Sequence, residues 1–343
     1  MISTTLLAIL LIFLAGLASG SFAMPTKYIA KWRFENIWLP FSVWGFLIIP
    51  WLTSLLLTPK LFSIYAATPN KLIWIIIGGG FLFGVGQTLF AIALNLIGLG
   101  LGFIFNVGVG MALGFLLPLV LQHPEKILTP FGMVTIFGTT LALIGLAISN
   151  HAGFLRDRTR EINGETGQLK VARILGVSLS ALGGMLSSGQ NFVLSLTGEV
   201  KQIALNMGTH HIGAAIIIWP IFLTAVFIPY ASYMLLLNQK NQSFNLYRGG
   251  ANIKSYLLTL IMGCLWYAAT FIYSQAAQLI GELGPIIGWP LFMVTIILTS
   301  SFWGWRHHEW TYASNKAKRT MQLGLFFLLV AVVILGCSGQ FNY

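Results

Sequence analysis

The chain has 343 residues, of which 57% are hydrophobic and 8% charged, with a mean hydropathy of +0.83. A soluble domain keeps about a quarter of its residues charged to meet water, so this composition excludes a soluble protein and leaves lipid as the main solvent. The net charge of +11 suggests an anionic partner such as nucleic acid, but the placement of the charges along the chain argues against one.

A helix needs about 20 apolar residues to cross a hydrocarbon core about 30 Å thick, and ten stretches meet that length. The first, 2–24, has no Lys or Arg ahead of its apolar run, so it reads as a span and not a cleaved leader. Lys27 follows Pro25 at its end, either as a snorkelling anchor or as a gate residue. The second, third, fourth and fifth spans are 37–57, 72–94, 98–121 and 128–149. Gln87, Asn95 and Asn106 are the amides of this region, and Gly16-x-x-x-Gly20, Gly80-x-x-x-Gly84 and Gly110-x-x-x-Gly114 suit close helix packing. The polar stretch 151–173 then reads as a solvated cytoplasmic linker. It divides a first five-helix repeat, 1–150, from a second, 174–343.

The sixth span, 171–194, holds the adjacent amides Gln190 and Asn191 at a depth where polar side chains face a bundle interior. They serve either a ligand or hydrogen bonds between helices. The seventh, 211–237, opens on His210-His211. In the eighth, 254–280, helical spacing makes one stripe of Trp266, Thr270 and Tyr273 and another of Tyr267, Phe271, Ser274 and Gln278. Such aromatics with a few amides suit a lined cavity for a small polar ligand; aromatic core packing is the alternative. The ninth and tenth spans are 284–304 and 320–339. Cys264 and Cys337 fall inside spans and read as small packing residues. No spacing of His, Cys, Asp or Glu suggests a metal site, and no cofactor motif is present.

With ten spans the loops fall on two sides. Lys60, Lys71, Lys126 and Lys201 share one side with both termini, and the other 15 of the 19 basic residues lie on the other. Positive residues in short loops stay cytoplasmic, which predicts a multi-pass inner-membrane protein with both termini extracytoplasmic. Gly16-Leu-Ala-Ser19 echoes Gly184-Met-Leu-Ser187, and Ala93-Leu-Asn95-Leu-Ile-Gly98 echoes Ala276-Ala-Gln278-Leu-Ile-Gly281, at corresponding places in the two halves. An odd number of spans per repeat inverts the second copy. The expected fold is therefore an all-α membrane protein of ten transmembrane helices in two inverted five-helix repeats, an architecture for alternating access.

At Pro25-x-Lys27-x-x-x-Lys31-Trp32-x-x-Glu35-x-x-Trp38 the chain resembles the L-rhamnose/proton symporter family of the drug/metabolite transporter superfamily. Pro50-Trp51, Trp266-Tyr267 with Tyr273, Trp289 and Glu309-Trp310 extend the likeness over nearly the whole chain. The resemblance implies ten spans, outward termini and uptake of a deoxyhexose with protons across the lipid bilayer. It departs from the family's pattern at Gly284–Trp289, where an aspartate is expected before the tryptophan and no acidic residue lies between Glu282 and Trp289.

The substrate-contacting candidates are Gln190, Asn191, Trp266, Tyr267, Tyr273, Gln278, Gln87, Asn106 and Lys27. All eight acidic residues fall in loops or at span ends, so proton coupling is expected to be weak or absent unless a cavity-mouth group carries it. Glu199, Glu282, His210 and His211 are the candidates. A metabolite or drug exporter and an uncoupled facilitator are the alternatives of the same architecture. A membrane enzyme would need a cluster of acid/base or metal-binding groups, and none is readable.

Overall fold

The computed structural model describes residues 4–158, 170–250 and 253–338, with the backbone alone at 94, 95, 98–104, 157, 158, 170–173, 249 and 250. Most of the linker predicted at 151–173 lies outside these residues. Among the described residues the chain is helical with connecting turns and no strand. In hydrocarbon no water satisfies a free N–H or C=O, and the helix satisfies both within one segment.

Helix α1 (Thr4–Ser21) ends in a 3-10 turn, Met24–Tyr28. The second span is built in three pieces: α2 (Phe34–Ser42), a π-helical stretch (Val43–Ile48) and α3 (Ile49–Leu57). After the short α4 (Leu61–Ala67) come α5 (Asn70–Gln122), α6 (Pro130–Arg158) and α7 (Lys170–Leu196). The short α8 (Gly198–Asn206) and α9 (His211–Ala215) lead to α10 (Trp219–Lys240), α11 (Ile253–Ile280), α12 (Gly284–Arg306) and α13 (Asn315–Ser338).

A straight helix of the 53 residues of α5 would be about 80 Å long, far more than a bilayer. The chain instead doubles back. Its arms, Asn70–Ala93 and Phe105–Gln122, both lie along α7: a Cβ on Gly183 would come within 2.8 Å of the Gly86 carbonyl and 2.9 Å of the Asn106 amide nitrogen. The spans predicted at 72–94 and 98–121 are these two arms, joined without a break in the helical backbone.

Nine stretches of the described residues are long and apolar enough to cross a membrane, one fewer than the ten expected. The exception is α7, which has 27 residues but carries Ser187, Ser188, Gln190 and Asn191, all buried, along its length. Side chains such as Leu56, Phe62, Trp74 and Val333 are exposed on the outside, as suits a bundle solvated by lipid. Cys264 and Cys337 are exposed too, which corrects their expected place in the interior.

The packing follows a pattern. Helix α1 packs on α11 and α12, while α7 packs on the two arms of α5; α13 pairs with α6, and α2 with α10. Gly16 and Gly20 of α1 sit against Thr295 and Thr299 of α12, and Gly184 of α7 sits against Asn106 of α5. The second span is interrupted by its π stretch, and the seventh by a turn at Ile216–Ile218 between α9 and α10. Each break is followed by a proline, Pro50 and Pro220, which lacks the N–H to continue the ladder.

Candidate functional site

A cavity of about 610 Å³ opens at the end of the bundle away from the basic loops, among α5, α7, α8, α9, α11 and α12 and the turn that precedes α10. Its wall is built where the seventh span breaks. Ile217 and Ile218 of the turn face Ser274, Ala277 and Gln278 of α11 across it, with Leu194 and Ser195 of α7 beside them. Non-helical backbone at membrane depth is tolerated where it is buried in protein or lines a cavity. Tyr65 on α4 donates its hydroxyl to the carbonyl of Ile217 at 2.8 Å and so pins the turn. At the far end of α11, Gly281 has a φ of +88°, the left-handed position at which a glycine ends a helix without strain, and the chain turns straight into α12 under the cavity.

Two layers of hydrogen bonds form the floor. Trp219 is fully buried and donates its indole N–H to Ser274 Oγ at 2.7 Å; Ser274 in turn donates to the Thr270 carbonyl at 2.8 Å. Deeper in the bundle, Tyr273 donates its hydroxyl to Asn191 Oδ1 at 2.7 Å. The Asn191 amide donates to the carbonyls of Gly114 at 2.7 Å and Pro285 at 2.9 Å. One side chain thus braces α5, α7, α11 and α12. Trp289 stacks edge-on to Tyr273 with ring centroids 5.9 Å apart and donates to the Gly110 carbonyl at 3.1 Å. Trp289 fits only because residue 114 is glycine: a Cβ there would lie 2.0 Å from its indole nitrogen.

The mouth is polar and carries both signs of charge. Glu199, Lys201, Gln202, Gln122, His123 and Glu282 line it, and Gln122 donates to Ser195 Oγ at 2.7 Å. Burial pushes the pKa of Lys201 down.

The residues singled out from sequence divide into groups. Gln278, Glu199 and Glu282 line the cavity; Asn191 and Tyr273 lie beneath it as the brace. Gln87 donates to Ser187 Oγ at 2.9 Å, and Asn106 faces the Ser180 carbonyl at 3.4 Å, so both join α5 to α7. Gln190 is buried on α7. Trp266 packs edge-on to Phe41 and Phe46, and Tyr267 accepts from Thr53 at 3.1 Å, which places both in the aromatic layer against the second span. His210 caps α9, its Nδ1 accepting the N–H of Ile212 at 3.3 Å, and neither it nor His211 lines the cavity. The side chain of Asn95 lies outside the described residues.

Lys27 is far from the cavity. It pairs with Glu309, which also accepts from Arg156 at 3.2 Å. Burial opposes the Glu309 charge, but the hydrogen bond and charge of Lys27, then those of Arg156, outweigh it and hold the carboxyl below its ordinary range. Trp219, Ser195, Lys201 and Arg156 were not singled out from sequence. Trp219-Pro220 after three isoleucines carries a helix-start signal, but nothing local says that its N–H meets a serine 55 positions away.

A bundle of apolar helices with a cavity that opens through a charged mouth has the form of a polytopic membrane transporter. The chain belongs to the L-rhamnose-proton symport protein (RhaT) family, whose profile matches residues 1–340. It is 27% identical over 331 residues to proteins described as L-rhamnose-proton symporters from Yersinia pestis (strain Pestoides F) and Yersinia pseudotuberculosis serotype O:1b (strain IP 31758). The match covers 94% of this chain and 95% of each relative. A third such symporter, from Yersinia pestis bv. Antiqua (strain Antiqua), matches to the same extent. The family is one of transporters and not of enzymes.

Proposed function

We propose that this protein imports L-rhamnose or a closely related deoxyhexose across the cell inner membrane, together with protons, by alternating access. The observation that carries the reading is the family match over residues 1–340, joined to a cavity large enough for a monosaccharide and its waters. Relatives described as proton symporters weigh against the weak coupling anticipated from the absence of a mid-span carboxylate. They likewise weigh against the exporter and the uncoupled facilitator. Glu199 and Glu282 at the mouth are the groups we assign to proton binding, because they share the cavity with the substrate. His210 and His211 stand second to them. Gln278 is the amide we place against the sugar, with Asn191 and Tyr273 holding the floor beneath it. Gln190, Gln87, Asn106, Trp266 and Tyr267 line the path that the substrate meets once the bundle switches, and Lys27 belongs to the gate at the far end.

The architecture we propose is ten spans, with α7 as the sixth, in two inverted repeats, 1–150 and 174–343, joined by a cytoplasmic linker at 151–173. Three observations support it. The helix contacts map onto themselves when every span is advanced by five: the first packs on the eighth and ninth as the sixth packs on the third and fourth. The echoed glycines Gly16 and Gly184 make equivalent close contacts, on the ninth and fourth spans. Interruptions fall in the second and seventh spans, corresponding members of the two halves and the usual sign of a transporter's binding region. The charge distribution supports an orientation with the basic end in the cytoplasm and the cavity mouth and both termini outside.

The test is uptake of labelled L-rhamnose by proteoliposomes. Uptake should rise with an inward proton gradient and should alkalinise a lightly buffered exterior. Uptake that ignores the gradient would remove the proton from the reaction, and no uptake of any deoxyhexose would remove the sugar.

A further inference from the structure

The connection between α1 and α2, residues 22–33, and α2's first turn lie at the end opposite the cavity. Two carboxylates hold them. Glu309 pairs with Lys27 of the 3-10 turn and with Arg156 at the end of α6, and the Arg156 guanidinium lies 5.2 Å from the centroid of the Trp310 ring. A single carboxylate in the α12–α13 connection therefore ties three parts of the bundle. Glu35, in the first turn of α2 and 2% exposed, accepts from Ser243 Oγ at 2.7 Å and from the Asn241 amide at 3.0 Å. Asn36 donates to Asn238 Oδ1 at 2.9 Å and to the Ser243 carbonyl at 3.0 Å. These bonds fasten α2 to the α10–α11 connection.

The backbone marks the same three connections. Among the described residues, only three non-glycine residues have positive φ: Lys31 at 72°, Gln242 at 51° and His308 at 58°. Lys31 lies between Lys27 and Glu35, Gln242 between Asn241 and Ser243, and His308 immediately before Glu309. An L residue visits this region at a small cost, most often where a helix ends. Gln242 and His308 are the left-handed residues that end α10 and α12, with the Ser243 N–H on the Asn238 carbonyl and the Glu309 N–H on the Gly304 carbonyl, so these helix ends set Ser243 and Glu309 in place beside their partners. A connection held by a few polar ties that can break singly has two states separated by a small free energy, as a gate needs.

We infer that the connection 22–33 with α2's first turn is the latch of a gate at the basic end, that Glu309 and Glu35 are its two bolts, and that both release in each transport cycle. The inference rests on the transporter reading but not on the identity of the sugar. The Glu309 pair is half-exposed, with Lys27 and Glu309 side chains at 36% and 38%, so it is the weaker bolt and opens first; Glu35, almost fully enclosed, follows.

Two experiments of opposite sign test it. Ser42 is fully buried on α2 behind the latch. With Cys264 and Cys337 replaced by alanine, Ser42→Cys is labelled with a membrane-impermeant maleimide from the basic side of vesicles. Adding Glu309→Gln should raise the labelling rate about two- to fivefold, the weight of a half-exposed ion pair. In the same cysteine-free background, Lys27→Cys and Glu309→Cys are bridged by a reducible bifunctional thiosulfonate. Bridging should abolish L-rhamnose uptake, leave sugar-induced thermal stabilisation in place through the open cavity, and be reversed by a reductant. An unchanged labelling rate, or a bridged protein that still transports, overturns the latch. Labelling that responds to Glu309→Gln in a protein that binds no rhamnose leaves the latch standing and overturns the substrate.

Discussion

Asn191 offers the sharpest division between a brace and a ligand contact. Its amide hydrogens go to the Gly114 and Pro285 carbonyls, and its oxygen takes the Tyr273 hydroxyl. Asn191→Ala would leave three fully or nearly enclosed partners without it. Inter-helix hydrogen bonds in membranes are worth about 0.6–1.7 kcal/mol each, so the loss is about 2–5 kcal/mol, toward the upper part of that range because the stranded groups are desolvated. Tyr273→Phe removes only one of the three and should cost about a third as much. Thermal unfolding of the detergent-solubilised variants, followed by tryptophan fluorescence, should therefore rank wild type above Tyr273→Phe and Tyr273→Phe above Asn191→Ala. Sugar affinity of the protein that remains folded should change less than its stability. An Asn191→Ala protein that unfolds with the wild type yet no longer binds sugar would refute the brace and place this amide on the ligand.

Gly114→Ala should destabilise strongly, by about 3 kcal/mol or more, because the new Cβ would overlap the Trp289 indole at 2.0 Å; the same melting assay reads it, and an unchanged midpoint would mean that Trp289 is free to move. The pH dependence separates the two ends of the bundle. Glu309 has its pKa lowered in the folded protein by Lys27 and Arg156, so its stabilising contribution is present above the unfolded carboxyl value of about 4.3 and is lost as pH falls through the lower folded value. The basic-end closure should hold throughout pH 5–8. Uptake measured against an imposed proton gradient should lose its response in Glu199→Gln or Glu282→Gln, the groups assigned to proton binding, and keep it in Glu309→Gln.

The helices and their order were legible because each needs only local information: a long apolar run must become a helix in lipid, where backbone groups have no other partner. Two local readings fell short for a physical reason. The stretch expected as the sixth span, α7, falls outside the nine because it carries serines and amides, which a helix packed among other helices can bury and a lipid-facing one cannot. The reversal inside α5 leaves no break in its helical backbone, so its two arms are separated by where they pack along α7. The candidate residues in the eighth span illustrate the same limit. Spacing put Tyr267, Ser274 and Gln278 on one stripe, but only packing against the second span and the cavity gives Tyr267 to an aromatic layer and Ser274 and Gln278 to the site.

By itself the sequence determines that this chain lives in a bilayer, that its basic residues gather in a few polar connections, and that Lys27 and Glu35 belong to one motif. None of these depends on distant parts of the chain meeting. What joins Lys27 to a glutamate 282 positions away, Trp219 to Ser274 and Asn191 to three other helices is decided by the tertiary structure. A buried polar group must find its partner wherever close packing places one, and in a bundle that partner is rarely a neighbour in sequence.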